Sequence, residues 1–189
     1  MAGRIILVRH GETEANRAGV FAESDEIPLT ESGRGQARAA ARRLAASPPH
    51  RLYSSPLVRA RETGEILALE LGMEVEILQG IHERDFGCLK GHPYRRMGEM
   101  MAADPSCDFA RSWLWRPAGG ESLEDVRERV IAVLRNLWKK HAGLDLMVVC
   151  HGAVIQAISA HLSGDWENAA VPANCESLAI DGAVFGERV

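Results

Sequence analysis

The sequence predicts an α/β protein, a three-layer α/β/α sandwich with a mainly parallel central sheet. Three observations predict it. Short apolar runs of strand type alternate with amphipathic helical stretches, the pattern of a sheet covered by helices on both faces. Leu146–Cys150 is apolar throughout, as a strand buried on both sides must be. The 189 residues suffice to bury one core without disulfide or metal staples. No repeat, low-complexity tract or Gly/Ser-rich linker divides the chain, so residues 1–189 are expected to form a single domain.

Taken in order, Arg4–Val8 is a buried-type strand. Leu29-Thr30-Glu31-Ser32-Gly33 opens a helix that runs to about Ala46, with Thr30 as its N-cap. Arg51–Ser54 is a short strand ending in Ser-Ser-Pro, and Leu57–Gly72 a helix whose Ile66, Leu67 and Leu71 share one face. Glu74–Leu78 is a weaker strand. Between about 79 and 120 the pattern breaks into irregular segments, with one short helix near Arg95–Met101. Ser122 and Asp125 make a capping box for a helix reaching about His141, whose imidazole sits at the negative end of the helix dipole. Leu146–Cys150 is the last strand read from the sequence, and Ala153–Leu162 the last helix.

Composition excludes several functions. Lys and Arg total 22 against 26 Asp and Glu, a net charge of -4, which gives no footprint for nucleic acid or for an anionic membrane. Any anion site must be local. Cys88, Cys107, Cys150 and Cys175 form no CxxC pair and read as reduced, intracellular thiols. Arg9 and His10 interrupt the first apolar run, so it is neither a signal peptide nor a membrane span. A soluble, cytoplasmic protein is expected.

Ligands of such sheets bind beyond the carboxyl ends of the strands. There the sequence places Arg9-His10-Gly11, Ser54-Ser55-Pro56 with Arg59 one turn on, and His151-Gly152. Two histidines and two arginines thus share one rim, where the helix N-termini after Pro56 and Gly152 direct free N–H groups, an arrangement that favours phosphate. Read alone, His10 is either a nucleophile for phosphorus or a residue that caps a strand. Glu83 is either a working acid or a surface carboxylate paired with Arg84. Thr13 and Ser55 either touch a bound anion or cap turns.

The run Leu7-Val8-Arg9-His10-Gly11-Glu12-Thr13-Glu14-Ala15-Asn16 resembles the signature of the histidine phosphatase superfamily, the phosphoglycerate mutase-like enzymes. Four further segments resemble the same pattern in the same order: Leu29–Ala37, Ser54–Thr63, Glu83-Arg84-Asp85-Phe86-Gly87, and Val148-Val149-Cys150-His151-Gly152. The likeness implies a phosphoglycerate mutase-like fold and a phosphohistidine mechanism. His10 would attack phosphorus, with Arg9 and Arg59 clamping the equatorial oxygens. His151 would be a further donor, adding positive charge in its protonated form, and Gly152 and Asn16 would complete the pocket. Glu83 would protonate the leaving oxygen and then activate water.

The chain departs from the mutases of this family, which carry Arg-His-Tyr-Gly after the glutamate and a longer insertion. Both departures favour a hydrolase acting on a small phosphate ester. Phosphoglycerate mutase activity and a non-catalytic phosphate-binding scaffold stand as the alternatives. Lys90 stands where many phosphatase members have an acidic residue, facing either a second anionic group or solvent. The insertion at about 79–120 is expected to cover the substrate, with Trp113 and Trp115 as an apolar wall or as core, and with Arg17, Arg84 and Arg95 available for a remote charge. No metal or other cofactor is implied, since neighbouring arginines repel a dication. A homodimer stays open.

Overall fold

The computed structural model describes residues 3–169 and 171–186. Its sheet contains β1 (Arg4–Arg9), β2 (Arg51–Ser54), β3 (Val75–Ile77), β4 (Leu146–Cys150) and β5 (Ser177–Asp181), in the order β3-β2-β4-β1-β5. The helices are α1 (Glu14–Ala18), α2 (Glu31–Leu44), α3 (Val58–Leu71), α4 (Arg95–Ala103), α5 (Leu123–His141) and α6 (Gly152–Ser163). β4 pairs in parallel with β1 and β2, in a register that sets Leu7 and Tyr53 against Val148, and β3 adds in parallel to β2. The mainly parallel sheet is therefore as expected.

Two elements lie outside what the sequence suggested. β5 runs antiparallel along β1, pairing Leu178 with Leu7. Within this edge strand Ile180 is the buried residue, too little for a periodic signal. α1 is a single five-residue turn closed by a capping box between Thr13 and Asn16.

Strand alternation builds the layers. Ile5, Leu7, Leu146 and Val148 face α5 and α6, where Val130, Leu134, Val154 and Ile158 are fully buried. Ile6, Val8, Met147 and Val149 face the other way, onto Ala37, Ala40 and Ala41 of α2 and Ala60 and Leu67 of α3. The small residues let those helices lie close to the sheet. Both predicted caps are present: Thr30 Oγ1 accepts the Gly33 N–H at 2.9 Å, and Ser122 and Asp125 cap each other. His141 ends α5, with Nε2 3.0 Å from the Tyr53 hydroxyl.

The insertion packs a small cluster of its own, in which Phe21, Leu89 and Trp115 meet Phe86, Met97 and Met101. The four cysteines are free. Among the described residues no helix is long and apolar enough to cross a membrane.

Candidate active site

His10 follows β1 at the carboxyl edge of the sheet and is 2% exposed. Its Nδ1 lies 2.7 Å from the Gly11 carbonyl oxygen. A carbonyl can only accept, so Nδ1 carries the proton and Nε2 the free lone pair. Burial, then Arg59 and Arg9, push this imidazole well below its ordinary pKa, so it is neutral in neutral solution.

The turn after His10 is held from behind by main chain. The Gly11 N–H donates to Thr63 Oγ1 at 3.0 Å, and that hydroxyl donates to the Arg59 carbonyl at 2.8 Å. Gly33, in the first turn of α2, packs directly on Gly11 and Glu12. A Cβ on Gly11 would come 2.6 Å from the Gly33 carbonyl oxygen, and one on Gly33 would strike the Glu12 carbonyl. Thr30 Oγ1 also donates to the Glu12 carboxylate at 2.7 Å.

Arg59 enters from α3 and His151 from the N-cap of α6. Both are buried, and the His151 ring centroid lies 5.3 Å from that of His10. Ser55 Oγ, 2.8 Å from His151 Nε2, also accepts the Leu57 N–H. With one lone pair so occupied, the hydroxyl keeps its proton available for Nε2, and when it donates there the His151 proton sits on Nδ1. Burial and the neighbouring Arg59 and His10 push His151 well below the usual range. That favours the neutral imidazole in the unliganded site.

Among the described residues, three buried side-chain nitrogens have no hydrogen-bond partner: Arg9 Nε, Arg59 Nη1 and His151 Nδ1. Unpaired buried donors are costly, and three around one histidine make a socket for the oxygens of an anion. Arg9 is anchored through Nη1 to the Pro172 carbonyl at 2.6 Å. Asn174, not among the expected site residues, donates to the His10 carbonyl at 2.9 Å and to Asn16 Oδ1 at 3.2 Å. It ties Asn16 to the loop that carries His10.

Glu83 is not paired with the Arg84 side chain. Its Oε1 accepts the N–H groups of Arg84 and Ala153, at 2.9 and 3.2 Å. Burial pushes its carboxyl above the ordinary value, against the opposing pull of Arg59. Arg84 turns away: Nε donates to the Glu121 carbonyl at 2.7 Å and Nη2 to the Trp115 carbonyl at 3.1 Å. Burial lowers its pKa to about 10, which leaves it charged.

The cleft has two lobes that share Ala22, Arg59, Glu83, Arg84 and Phe86. One, of ≈ 350 Å³, holds Arg9, His10, Asn16 and Gly152. The other, of ≈ 390 Å³, is lined by Asp25, His82, Asp85 and Lys90. Trp113 lines neither lobe; it stacks on Trp166 at 5.5 Å. Trp115 belongs to the core of the insertion, with Nε1 bonded to Asp104. Phe21, Phe86, Tyr94 and Met97 supply the wall instead. Of the cations considered for a remote charge, Arg17 pairs with Glu14 and Arg95 with Glu99.

The family model of the histidine phosphatase superfamily (branch 1) matches residues 5–180. A metal-independent phosphoserine phosphatase of Arabidopsis thaliana is 38% identical over 157 residues, which are 82% of this chain and 66% of that protein. This chain therefore spans just under two thirds of that relative's length. A 2,3-bisphosphoglycerate-dependent phosphoglycerate mutase of Cytophaga hutchinsonii is 30% identical over 164 residues, 84% of this chain and 76% of that one. In three dimensions, a mycobacterial glucosyl-3-phosphoglycerate phosphatase solved with VO3 superposes with a TM-score of 0.82 at 28% identity, covering 94% of this chain and 90% of the other. With that match running from the first strand to the last, the chain belongs to the histidine phosphatase superfamily, branch 1.

Proposed function

We propose that this protein is a metal-independent phosphomonoesterase that hydrolyses a small phosphorylated metabolite through a phosphohistidine on His10. The observation that carries this reading is the neutral His10, with Nε2 unprotonated and Arg9, Arg59 and His151 each holding a buried donor without a partner. Similarity to proteins named as phosphatases supports it.

In the first step the Nε2 lone pair forms a bond to phosphorus as the ester P–O bond breaks. Glu83, protonated because burial raises its pKa, gives its proton to the departing alkoxide. Arg9, Arg59 and His151 hold the three oxygens across which charge spreads. In the second step the Glu83 carboxylate takes a proton from water as its oxygen bonds to phosphorus. The P–N bond breaks, and inorganic phosphate and the starting enzyme result.

The test is phosphate release from a panel of monoesters in the presence of a chelator, with acid-labile phosphate trapped on the protein. Release that His10→Ala abolishes is expected. Transfer of phosphate between hydroxyls without release would instead indicate a mutase, and tight binding without turnover a scaffold.

A further inference from the structure

The phosphoryl end of the cleft is cationic, but the space beyond it is not. From His10 the smaller lobe continues along Val20, Phe21, Phe86, Tyr94, Met97 and Val171. Three of these are aromatic and touch: Phe21 lies 4.3 Å from Phe86 and meets Tyr94 edge-on at 4.9 Å. Tyr94 is 43% exposed, so part of its surface is free for a ligand. The wall also carries the neutral Tyr94 hydroxyl and Gln156 amide and one cation, Arg84, whose guanidinium carbon lies 5.6 Å from the centre of the Phe86 ring.

The cations of the cleft are already committed. Arg9 and Arg59 each hold a buried nitrogen without a partner and line the lobe that contains His10. Arg84 is pinned to two carbonyls, and its Nη1 lies against Met97 Sδ at 3.9 Å. In the larger lobe Lys90 is held by Asp85 at 2.8 Å, with Asp25 in the same lining. A carboxylate on the leaving group would shed its water against an apolar wall, or meet like charges in the other lobe. Arg59 and Arg84 line both lobes but are already engaged, so the carboxylate would lack a cation of its own, and such burial is unfavourable. An uncharged ring in the same place buries apolar area and stacks.

We infer that the site is built for phosphomonoesters of uncharged, ring-bearing alcohols, seated on the face made by Phe86, Tyr94 and Met97, and that it selects against esters carrying a second anionic group. This rests on the hydrolase reading for turnover, though not for binding. The experiment separates the two by comparing phenyl phosphate with 4-carboxyphenyl phosphate. Dissociation constants are measured calorimetrically on His10→Ala, and kcat/KM on the unaltered enzyme.

Phenyl phosphate is expected to bind more tightly by about tenfold, the equivalent of one unpaired carboxylate partly desolvated. Met97→Lys, which puts an ammonium on the wall, is expected to narrow or reverse that ratio. Tyr94→Ala should weaken phenyl phosphate more than inorganic phosphate, whereas Tyr94→Phe should preserve the preference for the ring. Equal or tighter binding of 4-carboxyphenyl phosphate would overturn the inference. Selective binding without any turnover would uphold it and count against hydrolysis.

Discussion

Glu83 accepts a hydrogen bond from the backbone N–H of Ala153 at 3.2 Å, which ties the carboxyl to the first turn of the helix that begins beside His151. The Glu83 carboxyl and the His151 imidazole are thereby set by one helix terminus. Glu83→Gln keeps a group of the same shape but removes the transferable proton. It is expected to lower kcat by about 10²- to 10⁴-fold for alkyl phosphates. With p-nitrophenyl phosphate, whose leaving group needs no acid, a burst of p-nitrophenol should persist while phosphohistidine accumulates. Loss of the burst along with turnover would show that the first step needs the Glu83 carboxyl even with this leaving group, against a role there as proton donor alone.

The pH profile follows from opposite requirements. His10 must be neutral, so the rate rises with pH through a pKa that lies well below 6.5. Glu83 must hold its proton, so the rate falls through a pKa raised from 4.5. A bell with its maximum on the acid side of neutrality is expected in kcat/KM, and its descending limb should vanish in Glu83→Gln. An alkaline maximum would contradict this assignment of acid and nucleophile.

Stability should also depend on pH. The buried imidazoles of His10 and His151 have lowered pKa values, so between those values and 6.5 the unfolded chain binds more protons than the folded one. Their contribution is complete above 6.5 and is lost as pH falls through the folded values. Glu83 works the other way: its raised pKa favours folding below 4.5, and that contribution is lost as pH rises through the folded value. Two histidines against one carboxyl should give a lower urea midpoint at about pH 5.5 than at about pH 7.5. His10→Asn should shrink the difference. An unchanged slope would show that His10 contributes nothing to it.

Thr63 acts through its neighbours, accepting from the Gly11 N–H and donating to the Arg59 carbonyl. Thr63→Val fills the space but leaves the Gly11 donor unsatisfied, at a cost of about 1–3 kcal/mol in stability. It should lower kcat more than it raises KM, as loosening of the nucleophile loop does, and Thr63→Ser should restore both. Urea unfolding and steady-state kinetics on the two variants check this.

The layers were legible because β1 and β4 are continuous apolar runs and α2 and α5 carry explicit caps. β5 was not, since an edge strand with one buried side chain leaves no periodicity to read. The residues of the anion socket were found through ordered motifs at strand ends, where backbone geometry fixes the side chains. The cleft wall escaped because Phe21, Phe86 and Tyr94 come from irregular segments whose approach only tertiary packing decides. Trp113 shows the same limit from the other side, since its place in the expected substrate-covering insertion drew it to the cleft and the structure stacks it on Trp166. Ser55 and Asn174 act by aligning His151, His10 and Asn16, and such supporting contacts leave no pattern along the chain.

The abutment of Gly33 on Gly11 and Glu12 joins backbone to backbone, with no side chain that could be resized to absorb an error. This contact holds the turn after His10 without using any side chain that lines the lobe around it. Tyr94, Met97 and Val171 line the same lobe on segments with no share in this contact. New leaving-group preferences can accordingly be grafted there by exchanging side chains or whole segments, while the reactive nitrogen keeps its aim. The molecule thus divides into a part that must be inherited whole and a part that can be rewritten.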